Sequence, residues 1–500
     1  MFSARALLSC CLALSANLAV AAAVEDLRIE HVTVVSPERS KPLVDAAVSI
    51  HDGRIVAITT GKHPGRSRAT ATLDGSGLFL TPGLIDSHVH LGDVPGMTTE
   101  QEATYPEIAK AARDQMPRSF LLHGFTTLVD LISTPAAMAR WKAHDLVPDT
   151  YFCGGAALMD GYPMNWTPKP ARYQAAPYML IETGTPAPEG IDPAQHTPAA
   201  VVSRMKADGA ICVKTFFERG FAPARNLPVP KIATVRELVR VAHSVGLPVF
   251  IHANSSEAQS FAVEAGVDVI AHGMWNWSET SPTTQITPAI QATLDRVLAQ
   301  KIGWQPTIQV LHGERDLFLT GFLTDPELQQ VLPRNLLDWY GTAAGQWFRN
   351  TLTEGYTSLQ GKDPKAAEAI VVEDYQIPLD RVQHATTYLA ARDARFLFGT
   401  DTPSAPTYAN PPGLNGWWEM QRLVAAGVSP SQVFQAATLS NARALKLAHD
   451  VGTVAVGKRA NLLLLRADPT AAVDAYHNIV KVILGGRVLD PASLAADRAH

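Results

Sequence analysis

The chain has 500 residues, 46% of them apolar, with 42 basic and 47 acidic residues giving a net charge of −5. That length suits one large barrel plus a smaller module, and the apolar share is ordinary for a globular protein. Mild acidity without a long Lys/Arg block argues against a nucleic-acid surface.

Residues 1–23 read as an export signal. A short basic start to Arg5 precedes an apolar stretch from Ala6 to Val20, and small-residue cleavage sites follow at Ala19-Val20-Ala21 or Ala21-Ala22-Ala23. Cleavage would give a periplasmic or extracellular protein with no stable membrane span. An uncleaved anchor is the alternative, because the stretch to Val24 nearly reaches the ~20 residues of a spanning helix. Cys10 and Cys11 would leave with the signal. Cys153 and Cys212 lie in apolar, strand-like runs and read as two buried thiols, too few for a disulfide scaffold.

Short strands are expected at 27–35, 47–51, 55–59 and 71–73, with Asp52-Gly53 as a hairpin turn. The end of the chain offers more at 452–457, 460–465 and 480–489, with a turn at Gly485-Gly486. Residues 24–80 and 448–495 therefore read as two parts of one small β module.

Between them, residues 81–447 alternate apolar runs with helix patterns. Strands are expected near 83–90, 125–131, 150–157, 210–216, 247–252, 267–271, 301–306 and 396–401, and helices over 230–245, 255–265 and 288–300. Apolar strand, helix, apolar strand is the signature of βα units and a parallel sheet, so the fold class is α/β, a (β/α)8 TIM barrel. Two connections, 159–199 and 311–395, are too long for plain loops. Both are expected to shape the pocket, the second partly as a helical lid, with oligomer contact as the alternative.

The residues that carry chemistry sit where these apolar runs end. His88-Val89-His90 puts two imidazoles one residue apart, and side chains at i and i+2 share a strand face. Lys214, His252, His272 and Asp401 each close a later apolar run. In a barrel of βα units, strand ends meet in one basin.

Pro-Gly-Leu-Ile-Asp-Ser-His-Val-His (82–90), the strand-end lysine, the two single histidines and Gly-Thr-Asp (399–401) together resemble the amidohydrolase superfamily. Within it the chain is most similar to imidazolonepropionase-like and prolidase-like hydrolases with a two-metal centre. The resemblance implies a small β-sandwich built from both chain ends. It also implies that His88, His90 and Asp401 hold the more buried metal and His252 and His272 the more exposed one. Lys214, carboxylated by carbon dioxide, would bridge the two.

The residue types support such chemistry. A free lysine repels a cation, whereas a carbamate is anionic and offers two oxygens. Two divalent ions against Asp401, a carbamate and a bridging hydroxide leave a net positive site, which makes a nucleophile from water near neutral pH. Nitrogen and oxygen ligands suit zinc, although manganese, cobalt or iron could also fit. The expected reaction is attack of that hydroxide on a carbonyl carbon, with Asp401 carrying the proton to the leaving nitrogen.

Candidate substrate contacts are Tyr162, Arg219, Trp275 and Trp304, with Trp166, Phe217, Glu218, Asn254 and Trp277 as further wall residues. Packing is the competing role for each aromatic, and an ion pair for Arg219. Hydrolysis of an amide C–N bond in a dipeptide, acylated amino acid or cyclic amide is the first expectation. Ester or lactone hydrolysis and deamination are the alternatives on the same scaffold, and a non-catalytic binding protein is the third. In each case the partner is a small molecule.

Overall fold

The computed structural model describes residues 26–61, 69–221, 226–277, 283–404 and 406–496, so the expected export signal lies outside the described residues. Seven parallel strands follow one another in space in their chain order: Leu84–Val89, Phe125–Asp130, Asp149–Ala156, Cys212–Phe216, Val249–His252, Val269–Ala271 and Gly303–Gln305. These are the first to seventh barrel strands.

The eighth expected strand, 396–401, does not form a regular strand, yet it occupies the eighth position. Leu397 donates its backbone N–H to Trp304 O at 2.9 Å, on the seventh strand. On the other side, Asp401 N–H donates to His88 O at 2.7 Å and His90 N–H to Thr402 O at 2.7 Å. The segment thus joins the last strand to the first. Local crowding explains its irregularity. A Cβ on Gly399 would stand 2.7 Å from His88 Cβ, and Asp401 takes a φ of 61°, outside the extended region.

Helices cover the sheet. Ile232–Ser244 buries Val235, Leu238, Val239 and Ala242, the i, i+3, i+4, i+7 stripe its sequence predicts. Ser256–Ala265 and Pro288–Ala299 lie where helix patterns were expected. Inside the ring, Ile85, Val129, Cys153, Cys212, Phe250, Val269 and Leu397 pack with Ala442, Leu445, Leu447 and Val451. Parallel strands in ring order with helices outside make this a TIM-barrel-like α/β fold.

The expectation of two buried thiols is corrected. Cys153 and Cys212 are register partners on the third and fourth strands, with Cα atoms 4.5 Å apart, and they form a disulfide. Their pairing depends on the register of two strands 59 residues apart in sequence, which local patterns do not carry.

The two chain ends build one eight-stranded sheet. Leu27–Val34 pairs with Leu43–His51, Ala71–Asp74 and Phe79–Pro82. Leu462–Leu465, from the far end, pairs antiparallel with Phe79–Pro82 and continues to Ile479–Leu484 and Arg487–Leu489. The strand expected at 452–457 is absent. Gly452 and Gly457 have φ of 91° and 89°, so the segment turns, while Gly457 N–H still donates to Ile55 O at 2.8 Å.

Both long connections pack at the strand ends. The 159–199 segment buries Met159, Met164, Met179 and Ile181 against Phe216, the last residue of the fourth strand. The second contains Gln309–Asp316, Arg334–Tyr340, Trp347–Gly355, Pro364–Asp374 and Gln376–Ala390. It docks on the loop after His90: Tyr340 Oη donates to Pro95 O at 2.6 Å and Trp347 Nε1 to Gly96 O at 2.8 Å. No helix among the described residues is long and apolar enough to cross a membrane.

Candidate metal centre

The first strand ends with a break in its pleat. Its register against the second strand shifts between Asp86 and Val89. Ser87 Oγ accepts from the inward Gln305 Nε2 at 2.6 Å, and the next residue, His88, also faces inward, with Nε2 3.5 Å from Lys214 Nζ. A regular strand would have sent His88 to the opposite face. Asp86 secures the bend: its carboxylate accepts from His88 N–H at 3.1 Å, Thr400 N–H at 3.1 Å and Thr400 Oγ1 at 2.6 Å.

Asp401 lies between the two histidines of the first strand. Its Oδ1 is 2.8 Å from His88 Nε2 and 3.0 Å from His90 Nε2. Burial works against the charged carboxylate, but His88 and His90 outweigh it and hold Asp401 well below the usual carboxylate range. Burial, reinforced by Lys214, pushes the His88 imidazole down to about 3. Its Nδ1 is buried without a hydrogen-bond partner. His88 is thus neutral beside an ionised carboxylate, as a cation requires of its ligands, whereas at His90 burial is outweighed by the hydrogen bond and attraction of Asp401, which raise its imidazole.

The fourth, fifth and sixth strands face this group. His252 stacks edge-on against His272, with ring centroids 4.5 Å apart, and the His272 and His88 centroids are 5.1 Å apart. Ligand atoms of His88, His272 and Asp401 all lie within 4.8 Å of one another. His272 and Asp401 both have left-handed backbone, φ 81° and 61°. Such strain in non-glycine residues concentrates at functional sites. Lys214 is 1% exposed, and burial lowers its amine to about 7. An amine in that state can be neutral at physiological pH and able to accept carbon dioxide. The donor set therefore fits divalent cations: four imidazoles, one carboxylate and one buried amine in one basin. The structure brings together all six residues singled out in the sequence.

Outer groups fix the imidazoles. His272 Nδ1 meets Thr307 Oγ1 at 2.9 Å, which leaves Nε2 for the basin. Glu218 Oε2 is 3.3 Å from His252 Nε2 and accepts from Asn254 Nδ2 at 2.7 Å. Burial opposes the charge on Glu218, yet hydrogen bonding and attraction from His252 hold it below the ordinary value. Thr307 follows the seventh strand without any motif to mark it.

The four substrate-contact candidates divide evenly. Tyr162 packs on His252 with centroids 4.7 Å apart, and Trp275 on His272 at 5.4 Å. Arg219 instead spends its guanidinium on Glu257, at 3.0 and 2.7 Å, and both side chains are about half exposed. Trp304 is corrected to a packing role. Gln305 points into the ring, so alternation along the strand sends Trp304 outward, where it is fully buried in the main apolar core.

Comparisons with known proteins place the fold and the family. The Amidohydrolase family model matches residues 79–274 and 379–489. An imidazolonepropionase of Ralstonia nicotianae is 40% identical over 73 residues, which is 13% of this chain and 18% of that protein. The chain thus aligns with only about a fifth of the length of the curated relatives it matches. A solved Xaa-Pro dipeptidase with methionine bound in its active site superimposes with a TM-score of 0.63 at 19% identity, covering 93% of this chain and 100% of that one. A putative prolidase from Bifidobacterium longum gives 0.61 at 21% identity, covering 94% and 95%. With the family model matching more than half of its residues, in two blocks that include all six converging side chains, this chain belongs to the amidohydrolase family.

Proposed function

We propose that this chain is a metal-dependent hydrolase that cleaves an amide C–N bond in a dipeptide, an N-acyl amino acid or a cyclic amide. The observation that carries the reading is the convergence of His88, His90, Lys214, His252, His272 and Asp401 from four strand ends and the eighth segment. His88, His90 and Asp401 would hold one divalent cation, and His252 and His272 a second. Lys214, as its carbamate, would serve both. Bound there, such ions lower the pKa of water and polarise a carbonyl oxygen. Zinc suits the ligand types.

The chain's own groups have separate tasks. Asp401 Oδ1, between the two imidazoles of the first strand, takes the proton from the attacking water and returns it to the leaving nitrogen. Its lowered pKa keeps it ionised and ready to accept. Thr307 and Glu218 hold the rings of His272 and His252 in place. Tyr162 and Trp275 give the substrate two aromatic walls beside those rings. The relatives' names, imidazolonepropionase and Xaa-Pro dipeptidase, support the amide class without choosing a member of it. A zinc-loaded hydrolysis screen over N-acyl amino acids, dipeptides, cyclic amides and lactones tests the reading. Turnover confined to lactones, or none at all, would defeat it.

One observation favours a second reading. A trio whose ligand atoms all lie within 4.8 Å of one another, His88, His272 and Asp401, crosses the expected grouping. A single cation held by these three would suit a deaminase or lactone hydrolase with Lys214 uncarboxylated. Metal analysis separates the readings: two ions per chain support the first, and one ion supports the second. Export remains part of the proposal. A disulfide inside the barrel suits an oxidising compartment, and N-terminal sequencing of the mature protein checks the cleavage.

A further inference from the structure

The seam that closes the barrel is held by side chains as well as by backbone. Between the first strand and the eighth segment, Ser87 N–H donates to Phe398 O at 3.2 Å, and further along Asp401 N–H donates to His88 O at 2.7 Å. Between these two rungs the Asp86 carboxylate takes the place of a backbone partner for Thr400. Below them the partner is Asn441, which lies 356 residues beyond Ile85 in the chain.

Asn441 opens the short helix Asn441–Ala444, directly after a π-helical turn over Ala436–Ser440. Such turns are frequent at functional sites. The helix is fixed in place, because Ala442 and Leu445 pack inside the ring with Ile85 and Leu397. The Asn441 side chain is fully buried, and its amide is fully used. Nδ2 donates to Ile85 O at 2.8 Å and to Phe398 O at 2.7 Å. Oδ1 accepts from Phe398 N–H at 3.2 Å, and Ser87 Oγ lies 3.0 Å from it. Ser87 Oγ in turn accepts from Gln305 Nε2 at 2.6 Å.

One amide thus grips both edges of the seam. Ile85 and Phe398 each stand three residues before a member of the centre, His88 and Asp401. Ser87 is the residue directly before His88, and the pleat of the first strand breaks between Asp86 and Val89. Holding Ile85 and Ser87 therefore fixes where that break begins. A buried network in which each member is paired specifies one arrangement, which an apolar side chain of the same size would not do.

We infer that Asn441 is a positioning residue of the metal centre: by clamping Ile85, Ser87 and Phe398 it turns His88 into the basin and sets Asp401 against it. This rests on the metal-dependent reading above and applies with one cation or two, because His88 and Asp401 are ligands in both.

The test is the zinc affinity of the full chain, read by chelator competition at a temperature where each variant is folded. Asn441→Ala should weaken zinc binding about 10- to 100-fold, as the loss of an outer partner of metal ligands does. Val48→Ala is the control, since it opens a cavity in the separate buried core of the sheet built by the chain ends. It should lower the unfolding midpoint and keep the wild-type affinity. Unchanged affinity in Asn441→Ala would overturn the inference. An equal loss in Val48→Ala would also overturn it, because the effect would then be one of general stability. If Asn441→Ala does not fold, Ser87→Ala decides. It removes the hydroxyl between Asn441 and Gln305 and should weaken zinc binding about threefold. Wild-type affinity in that variant overturns the inference. Zinc binding that responds to Asn441→Ala in a protein that cleaves no amide would defeat the hydrolase reading and leave this one standing. No zinc uptake by the wild-type protein would overturn both.

Discussion

The two sides of the basin are held together by different means. On one side His88, His90 and Asp401 touch each other directly, at 2.8 and 3.0 Å, and the contact spans the seam between the first strand and the eighth segment. On the other side His252 and His272 meet only through their rings. Each is oriented by an outside group, Glu218 or Thr307, supplied by a loop. The first side doubles as barrel closure, because Asp401 N–H also donates to His88 O at 2.7 Å. The second depends on residues that can change without opening the ring. A ligand set built this way can keep one position fixed while the other adapts its surroundings to different substrates.

The largest effect should come from the group that serves the first side. Asp401→Asn keeps the shape and removes the proton acceptor, so kcat should fall at least about a thousandfold. Much of the metal should remain, as measured by metal analysis of the same sample. Full activity in this variant would remove Asp401 from proton transfer and with it the main difference between the two sides.

Lys214 Nζ lies 3.5 Å from His88 Nε2, and the bridging role proposed for it gives a pH test. Its folded pKa is about 7, lowered from 10.5 by burial. Below about pH 7 the amine is protonated and has no lone pair for carbon dioxide. Above that value the neutral amine is present, and carboxylation releases a proton. Metal loading in bicarbonate should therefore climb as pH rises through about 7, several units below the range of an exposed lysine. Loading that ignores both pH and bicarbonate would mean that the amine is not carboxylated. The two sides would then be joined only by the contact between His88 and His272.

Glu218 sharpens the comparison further. Glu218→Gln leaves a side chain of the same size but removes the charge that steadies His252. Affinity at the second side should drop about 10- to 100-fold in chelator competition. The first side, which has no contact with Glu218, should keep its metal. Loss of both metals together would show that the basin behaves as one unit.

How much of this was readable beforehand follows from the range of each signal. The six converging residues were legible because each ends an apolar run, and strand ends meet in a barrel. The inward turn of His88 was not, since it depends on a register shift against a neighbouring strand. Trp304 was misplaced for the related reason that alternation assigns a face only once one neighbour, here Gln305, is known to point inward. The disulfide needed the register of the third and fourth strands. The irregular eighth segment is set by crowding between Gly399 and His88, residues far apart in sequence.

The smallest effect is expected at Arg219. A guanidinium on a strand-end loop beside the basin invites a role in binding a substrate carboxylate, and the sequence offered it as one. Its bidentate contact with Glu257 joins two half-exposed side chains, and solvent screens such a pair to about 0–1 kcal/mol. Its field at the basin is correspondingly weak, because the neighbouring acid cancels it at a distance. Arg219→Ala should therefore change kcat/KM by less than about threefold and leave metal content alone. A tenfold rise in KM for substrates with a free carboxylate, with kcat unchanged, would mean that the pair with Glu257 opens when substrate arrives. It would also place a cationic anchor for a substrate carboxylate on the side of His252, and the more adaptable side of the basin would then carry the specificity as well.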